Sequence, residues 1–163
     1  MARIAWMVDS EYIRALEDRL EHYGHTIERF RQIIPTLRAF DTTRYDAIML
    51  NTVVAPGVIN FDYEKGLYDN DPRIKEIMGE YRGKNKNPDY WKLAMYAIEV
   101  AHKPSSPNAR TPIFVVGQHD ESRDALFPNA QETCRTARAI DYYNVSREER
   151  YDALVRDIRR LTT

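Results

Sequence analysis

The sequence predicts a single doubly wound α/β domain over residues 1–163, a five-stranded parallel sheet with helices on both faces. Two observations predict it: short apolar runs of strand length recur five times, and amphipathic stretches with apolar residues every three or four positions separate them. Such alternation gives parallel strands joined by crossover helices. The chain shows no internal repeat, low-complexity tract or second core, so one domain suffices for its length.

Arg3-Ile-Ala-Trp-Met-Val-Asp9 is an apolar run closed by an acid, as expected of a strand buried on both faces whose carboxyl end opens into a crevice. From Ser10, the spacing of Ile13, Leu16, Leu20 and Tyr23 predicts an amphipathic helix that stops at Gly24. A second strand is expected at His25 to Phe30. A short helix follows through Ile34, Leu37 and Phe40, with Pro35 in its first turn. Tyr45-Asp-Ala-Ile-Met-Leu-Asn51 is the clearest strand. Pro72 to Tyr81 places Ile74, Ile77, Met78 and Tyr81 on one helical face, and Gly83 to Pro88 reads as a loop. Asp89 is placed to cap a helix running to about Ala101, which Pro104-Ser-Ser-Pro107 ends. Ile113 to Val116 is the fourth strand. A helix from Asn129 to Arg138 leads into a fifth strand at Ala139 to Tyr143. Ser146 and Glu149 then have capping-box spacing before a last helix through Leu154, Val155, Ile158 and Leu161.

Composition narrows the function. With 43% hydrophobic and 30% charged residues the chain has too much apolar material for disorder and too many charges for a membrane protein. No run reaches the ~18 apolar residues of a membrane span, and Met1 to Met7 is too short for a signal peptide, so the cytoplasm is the expected compartment. Lone Cys134 excludes an internal disulfide and a multi-cysteine metal cluster. Lys and Arg (24) balance Asp and Glu (25), so no global field draws the chain to nucleic acid or anionic lipid.

In open parallel sheets ligands sit at the carboxyl ends of strands, which selects Asp9, Asn51, Gly117 and Asn144. The order and wording of five stretches resemble the receiver domain of two-component response regulators. These are Arg3 to Asp9, Leu16 to His25, Tyr45 to Asn51 with Pro56-Gly57, Thr111 to Val116, and Ala139 to Asn144. The resemblance implies a CheY-like (flavodoxin-like) fold with strand order 2-1-3-4-5. A working receiver needs two acids after the first strand for magnesium and an aspartate after the third to accept phosphate. It also needs a hydroxyl after the fourth strand and a lysine after the fifth. This chain keeps Asp9 but has Ser10, Asn51, Gly117 and Asn144 at the other positions. An amide cannot form an acyl phosphate by that route, and one carboxylate is a poor magnesium site. The expected protein is a degenerate pseudo-receiver with no cofactor and no metal. Asn51 itself has two readings, a strand-end amide that caps the next loop or a ligand contact.

A second departure is an insertion at about residues 58–87, where receivers pass almost directly into the third helix. Its tyrosines Tyr63, Tyr68 and Tyr81 and its helix argue for order. Other constellations have bland readings. His22 and His25 are expected at the surface and at a strand start rather than on a metal, and Cys134 in the core. Arg156, Arg159 and Arg160 are expected to complement a helix dipole. Ser10 and Ser122 lack a nucleophile context, and no glycine-rich phosphate loop is present.

The expected function is signal transduction in a two-component system, independent of phosphorylation and without catalysis, through a protein partner or a homodimer. The receiver resemblance places that contact at about residues 129–161, with the insertion. No nucleic-acid or membrane partner is expected. The alternative is a flavodoxin-like enzyme acting on a nucleotide or sugar with Asp9, Asn51, His119 and Asp120.

Overall fold

The structure is a computed structural model and describes residues 1–8, 14–52, 71–82, 91–117, 129–145 and 147–163, with the backbone alone for 78–82. Its strands are β1 (Arg3–Met7), β2 (Thr26–Phe30), β3 (Ala47–Asn51), β4 (Ile113–Gly117) and β5 (Tyr142–Asn144). They form one sheet in the order β2-β1-β3-β4-β5, every neighbour parallel. The described helices are α1 (Arg14–His22), α2 (Ile33–Thr42), α3 (Pro72–Arg82), α4 (Trp91–Ala101), α5 (Ala130–Thr136) and α6 (Glu148–Thr162).

Strand alternation divides the core in two. Ile4, Trp6, Met49, Phe114, Val116 and Tyr143 face α1 and α6, where they meet Leu16, Leu20, Leu154 and Ile158. Ala5, Met7, Ile48, Leu50, Val115 and Tyr142 face α2, α3, α4 and α5. Because β1, β3 and β4 are covered on both faces they carry continuous apolar runs, which is why they read so plainly in the sequence. Cys134 is fully buried in the second layer, as expected.

Helix ends account for most boundary differences. Gly24 adopts φ 83°, the Gly24 N–H reaches the Glu21 carbonyl and the His25 N–H reaches that of Leu20, so α1 ends in a Schellman motif at the predicted glycine. The same motif ends α5, with Arg138 at φ 67° and the Ala139 N–H on the Cys134 carbonyl. Ala139 is therefore still part of a helix stop, and β5 begins at Tyr142, three residues later than the sequence suggests. The last helix begins at Glu148 with Arg147 as its N-cap and no side-chain cap; Ser146 lies outside the described residues.

The loop after α4 is fastened by a buried polar cluster that the sequence reading treated only as a helix breaker. Asn108 is fully buried, accepts the Tyr45 N–H at 2.9 Å, and donates to the carbonyls of Phe40 (2.8 Å) and Thr43 (2.7 Å). The Thr111 hydroxyl donates to the Tyr45 carbonyl at 3.0 Å. This satisfies the backbone between α2 and β3 and holds the entry to the central strand.

Within the insertion, α3 is capped by Asp71, which accepts the N–H groups of Arg73 (3.0 Å) and Ile74 (3.2 Å) through one oxygen. Its other oxygen accepts the Tyr96 hydroxyl of α4 at 2.7 Å. Ile74 and Ile77 are buried in the core as predicted; the side chains of Met78 and Tyr81, and all of Tyr63, Tyr68 and Asp89, lie outside the described residues. His22 is exposed, as expected, and His25 stands one residue before β2, only 9% exposed.

Candidate functional site

The site expected at the carboxyl ends of the strands can be described at three of its five positions. Asp9 and Ser10 lie outside the described residues, as do His119 and Asp120 of the alternative reading and Ser122. Register brings the other three together: Asn51 pairs with Val116, and Gly117 pairs with Asn144. The ladder continues past them, with the Thr52 N–H on the Val116 carbonyl (3.0 Å) and the Val145 N–H on the Gly117 carbonyl (2.9 Å). All three thus sit on paired backbone.

Asn51 is 3% exposed, and its Oδ1 accepts the indole N–H of Trp6 at 3.0 Å. An indole can only donate, so this bond orients the amide and fixes which end faces β1. Neither sequence reading anticipated this role. Asn51 ties the ends of β1 and β3 together through a buried side-chain bond.

Gly117 is required by its neighbour. A Cβ at this position would run into the Tyr142 hydroxyl and lie 2.6 Å from the ring carbon that bears it. The phenol of β5 therefore occupies the space into which a serine or threonine at 117 would project. A glycine ending an otherwise bulky strand was the available signal, since strand glycines often mark close approach by a neighbour. Asn144 is 7% exposed beside it.

The rim beyond β5 carries a charged cluster absent from the predicted site. Asp141 accepts from Arg150 at 3.2 Å and from Arg135 at 3.4 Å. Arg150 also donates to the Tyr142 carbonyl and lies 5.0 Å from the centre of the Tyr143 ring. The Tyr143 hydroxyl donates to Asp157 at 2.8 Å; burial, then this carboxylate, raises its pKa. Burial likewise pushes the Cys134 thiol up to about 12, which removes it from thiolate chemistry at neutral pH.

Among the described strand-end residues, Asn51, Gly117 and Asn144, none carries a charged oxygen for magnesium. Among the described residues no three His, Cys, Asp or Glu side chains converge, and Asn51 gives its oxygen to Trp6. An octahedral hard cation needs several charged oxygens.

No family profile matches the sequence, and no curated protein sequence matches it. Solved structures do match. The receiver domain of sensor histidine kinase PA1611 from Pseudomonas aeruginosa PAO1, described with a magnesium ion coordinated in its active-site cleft, is 14% identical with a TM-score of 0.58. The match covers 99% of this chain and 97% of that one. The receiver domain of the Francisella response regulator 1452 is 13% identical with a TM-score of 0.59, over 99% and 97% of the two chains. With the strand order above, this chain has the CheY-like, flavodoxin-like α/β fold of response-regulator receiver domains.

Proposed function

We propose that this chain is a degenerate, receiver-like signalling module that works by binding a protein partner or a second copy of itself, without accepting phosphate and without catalysis. The observation that carries this reading is the use of the strand-end positions for packing. Asn51 holds the Trp6 indole, and Tyr142 fills the space beside Gly117. Phosphoryl transfer needs an attacking carboxylate, a cation and positioned neutralising groups. Asn51 and Asn144 supply neither the carboxylate nor the charge.

The binding face is the one formed by α5, β5 and α6, residues 129–161, together with the insertion that α3 anchors to α4. The cytoplasm is its compartment; among the described residues no helix is long and apolar enough to cross a membrane. At Asn51 the contact seen is structural, the Trp6 indole donating to its oxygen, which favours the binding-module reading over the enzyme one.

Incubation with magnesium and acetyl phosphate should leave both the intact mass and the sedimentation coefficient unchanged. Addition of a phosphoryl group at Asn51 or Asp9, or a change of association state with phosphodonor, would overturn the reading.

A further inference from the structure

We propose that the outer face of α6 is a self-association surface, on which a second copy of this chain packs with the two α6 helices antiparallel about a two-fold axis. This rests on the binding-module reading and makes its partner a second copy.

The order of charges along the helix is the basis for the assignment. Glu148, Glu149 and Asp152 stand in its first half and Arg156, Arg159 and Arg160 in its second, and all six are exposed. At 3.6 residues per turn they fall within one arc of about 120°. Leu154 and Ile158 occupy the opposite side of the helix, buried against the sheet. Neighbouring charges cancel only part of each half. Arg19 of α1 holds Asp152 at 2.9 Å, and Asp157 lies 3.5 Å from Arg156 and 3.9 Å from Arg160. Three acids set against Arg19, and three arginines set against Asp157, leave two negative charges in the first half and two positive charges in the second. Arg147 and Arg150 lie off this stripe, along the groove beside β5, where Asp141 holds Arg150.

The helix dipole favours acids at the start and bases at the end, but it does not require them on one stripe or in one register. Antiparallel packing sets Arg156 against Asp152, Arg159 against Glu149 and Arg160 against Glu148. Every one of these pairs is centred on Leu154. A single two-fold axis at that residue therefore matches all six groups on both copies, as an interface made of the same patch twice requires. Parallel packing would set like charges side by side, and a uniformly acidic or basic partner would be repelled by one half of the stripe. A surface this narrow and polar gives weak association that salt screens.

The test is sedimentation equilibrium of the full chain from about 10 μM to about 1 mM, a range suited to a weak interface. The expected result is a monomer–dimer equilibrium that shifts toward monomer when salt is raised from about 0.05 M to about 0.5 M. The variant Glu148→Lys with Glu149→Lys, and separately the variant Arg159→Glu with Arg160→Glu, should each associate at least ~10-fold more weakly, because like charges then meet across the axis. An equimolar mixture of the two variants should dimerise at least as well as the wild type, since a basic stripe then faces an acidic one. A wild type that stays monomeric, association indifferent to salt, growth beyond a dimer, dimers that persist in either variant alone, or no recovery on mixing would overturn the proposal. If circular dichroism shows either double variant unfolded, the single reversals Glu148→Lys and Arg160→Glu are read in the same way, alone and mixed; the Arg160 side chain is 69% exposed. None of these outcomes depends on the phosphodonor experiment, so the two readings fail separately.

Discussion

Gly117 and Tyr142 form a pair in which each residue accounts for the other. Gly117→Ala would force Cβ into the phenol, and overpacking of this kind costs about 1–3 kcal/mol or more. Tyr142→Leu removes the hydroxyl and its ring carbon, so in that background the same glycine substitution should be markedly less destabilising. Urea unfolding of the two single variants and the double variant measures the coupling; additive effects would mean that the phenol is not what excludes a side chain at 117. His25 is a second residue whose chemistry follows from its surroundings. Both ring nitrogens are buried without a hydrogen-bond partner. Burial, then the Met1 amino group and Arg159, lowers its pKa below the ordinary 6.5. Above that value the imidazole is neutral in both states. As pH falls through 6.5 toward the lowered folded-state pKa, the unfolded chain takes up a proton that the folded chain refuses, and stability is lost. His25→Leu should therefore flatten the acid side of the stability profile, measured by urea unfolding at about pH 8 and about pH 5. An unchanged slope would assign the acid sensitivity elsewhere.

At the scale of elements, the insertion is bound into the core through α3. Ile74 is fully buried among residues of α4, and Asp71 links the start of α3 to Tyr96. Ile74→Ala should cost about 2–5 kcal/mol, lowering the urea midpoint with little change in slope, because a cavity opens inside a shared core. A loss below ~0.5 kcal/mol, typical of surface positions, would show that α3 is an appendage. The elements differed in how plainly the sequence announced them. Strands β1, β3 and β4 were legible because burial on both faces demands unbroken apolar runs, and α1 was legible down to its stop because Gly24 is the residue that a left-handed helix end favours. The start of β5 was not, because Arg138 adopts the same conformation without being glycine. Local chemistry gave no hint of that stop, and the apolar Ala139 and Ile140 read as strand. Asn108 was missed for a related reason: its three partners lie on Phe40, Thr43 and Tyr45, more than sixty positions away. No local pattern carries such information.

For the molecule as a whole, sequence periodicity conveyed the layers and the resemblance conveyed the strand order, because both follow from the alternation of buried strands and amphipathic helices. The candidate site was legible only as a set of positions. Sequence identified Asn51, Gly117 and Asn144 as strand ends, but the Trp6 indole on Asn51 and the Tyr142 phenol against Gly117 depend on register between strands. On the proposed function, packing as well as the missing carboxylate closes the strand-end crevice to phosphoryl transfer. The most direct test is the intact mass of the single variant Asn51→Asp after incubation with magnesium and acetyl phosphate. A carboxylate at 51 would accept the Trp6 N–H in the amide's place, with Tyr142 still beside Gly117 and no cation at Asn144, so the protein should remain unmodified. Stoichiometric gain of one phosphoryl group at position 51 would contradict it.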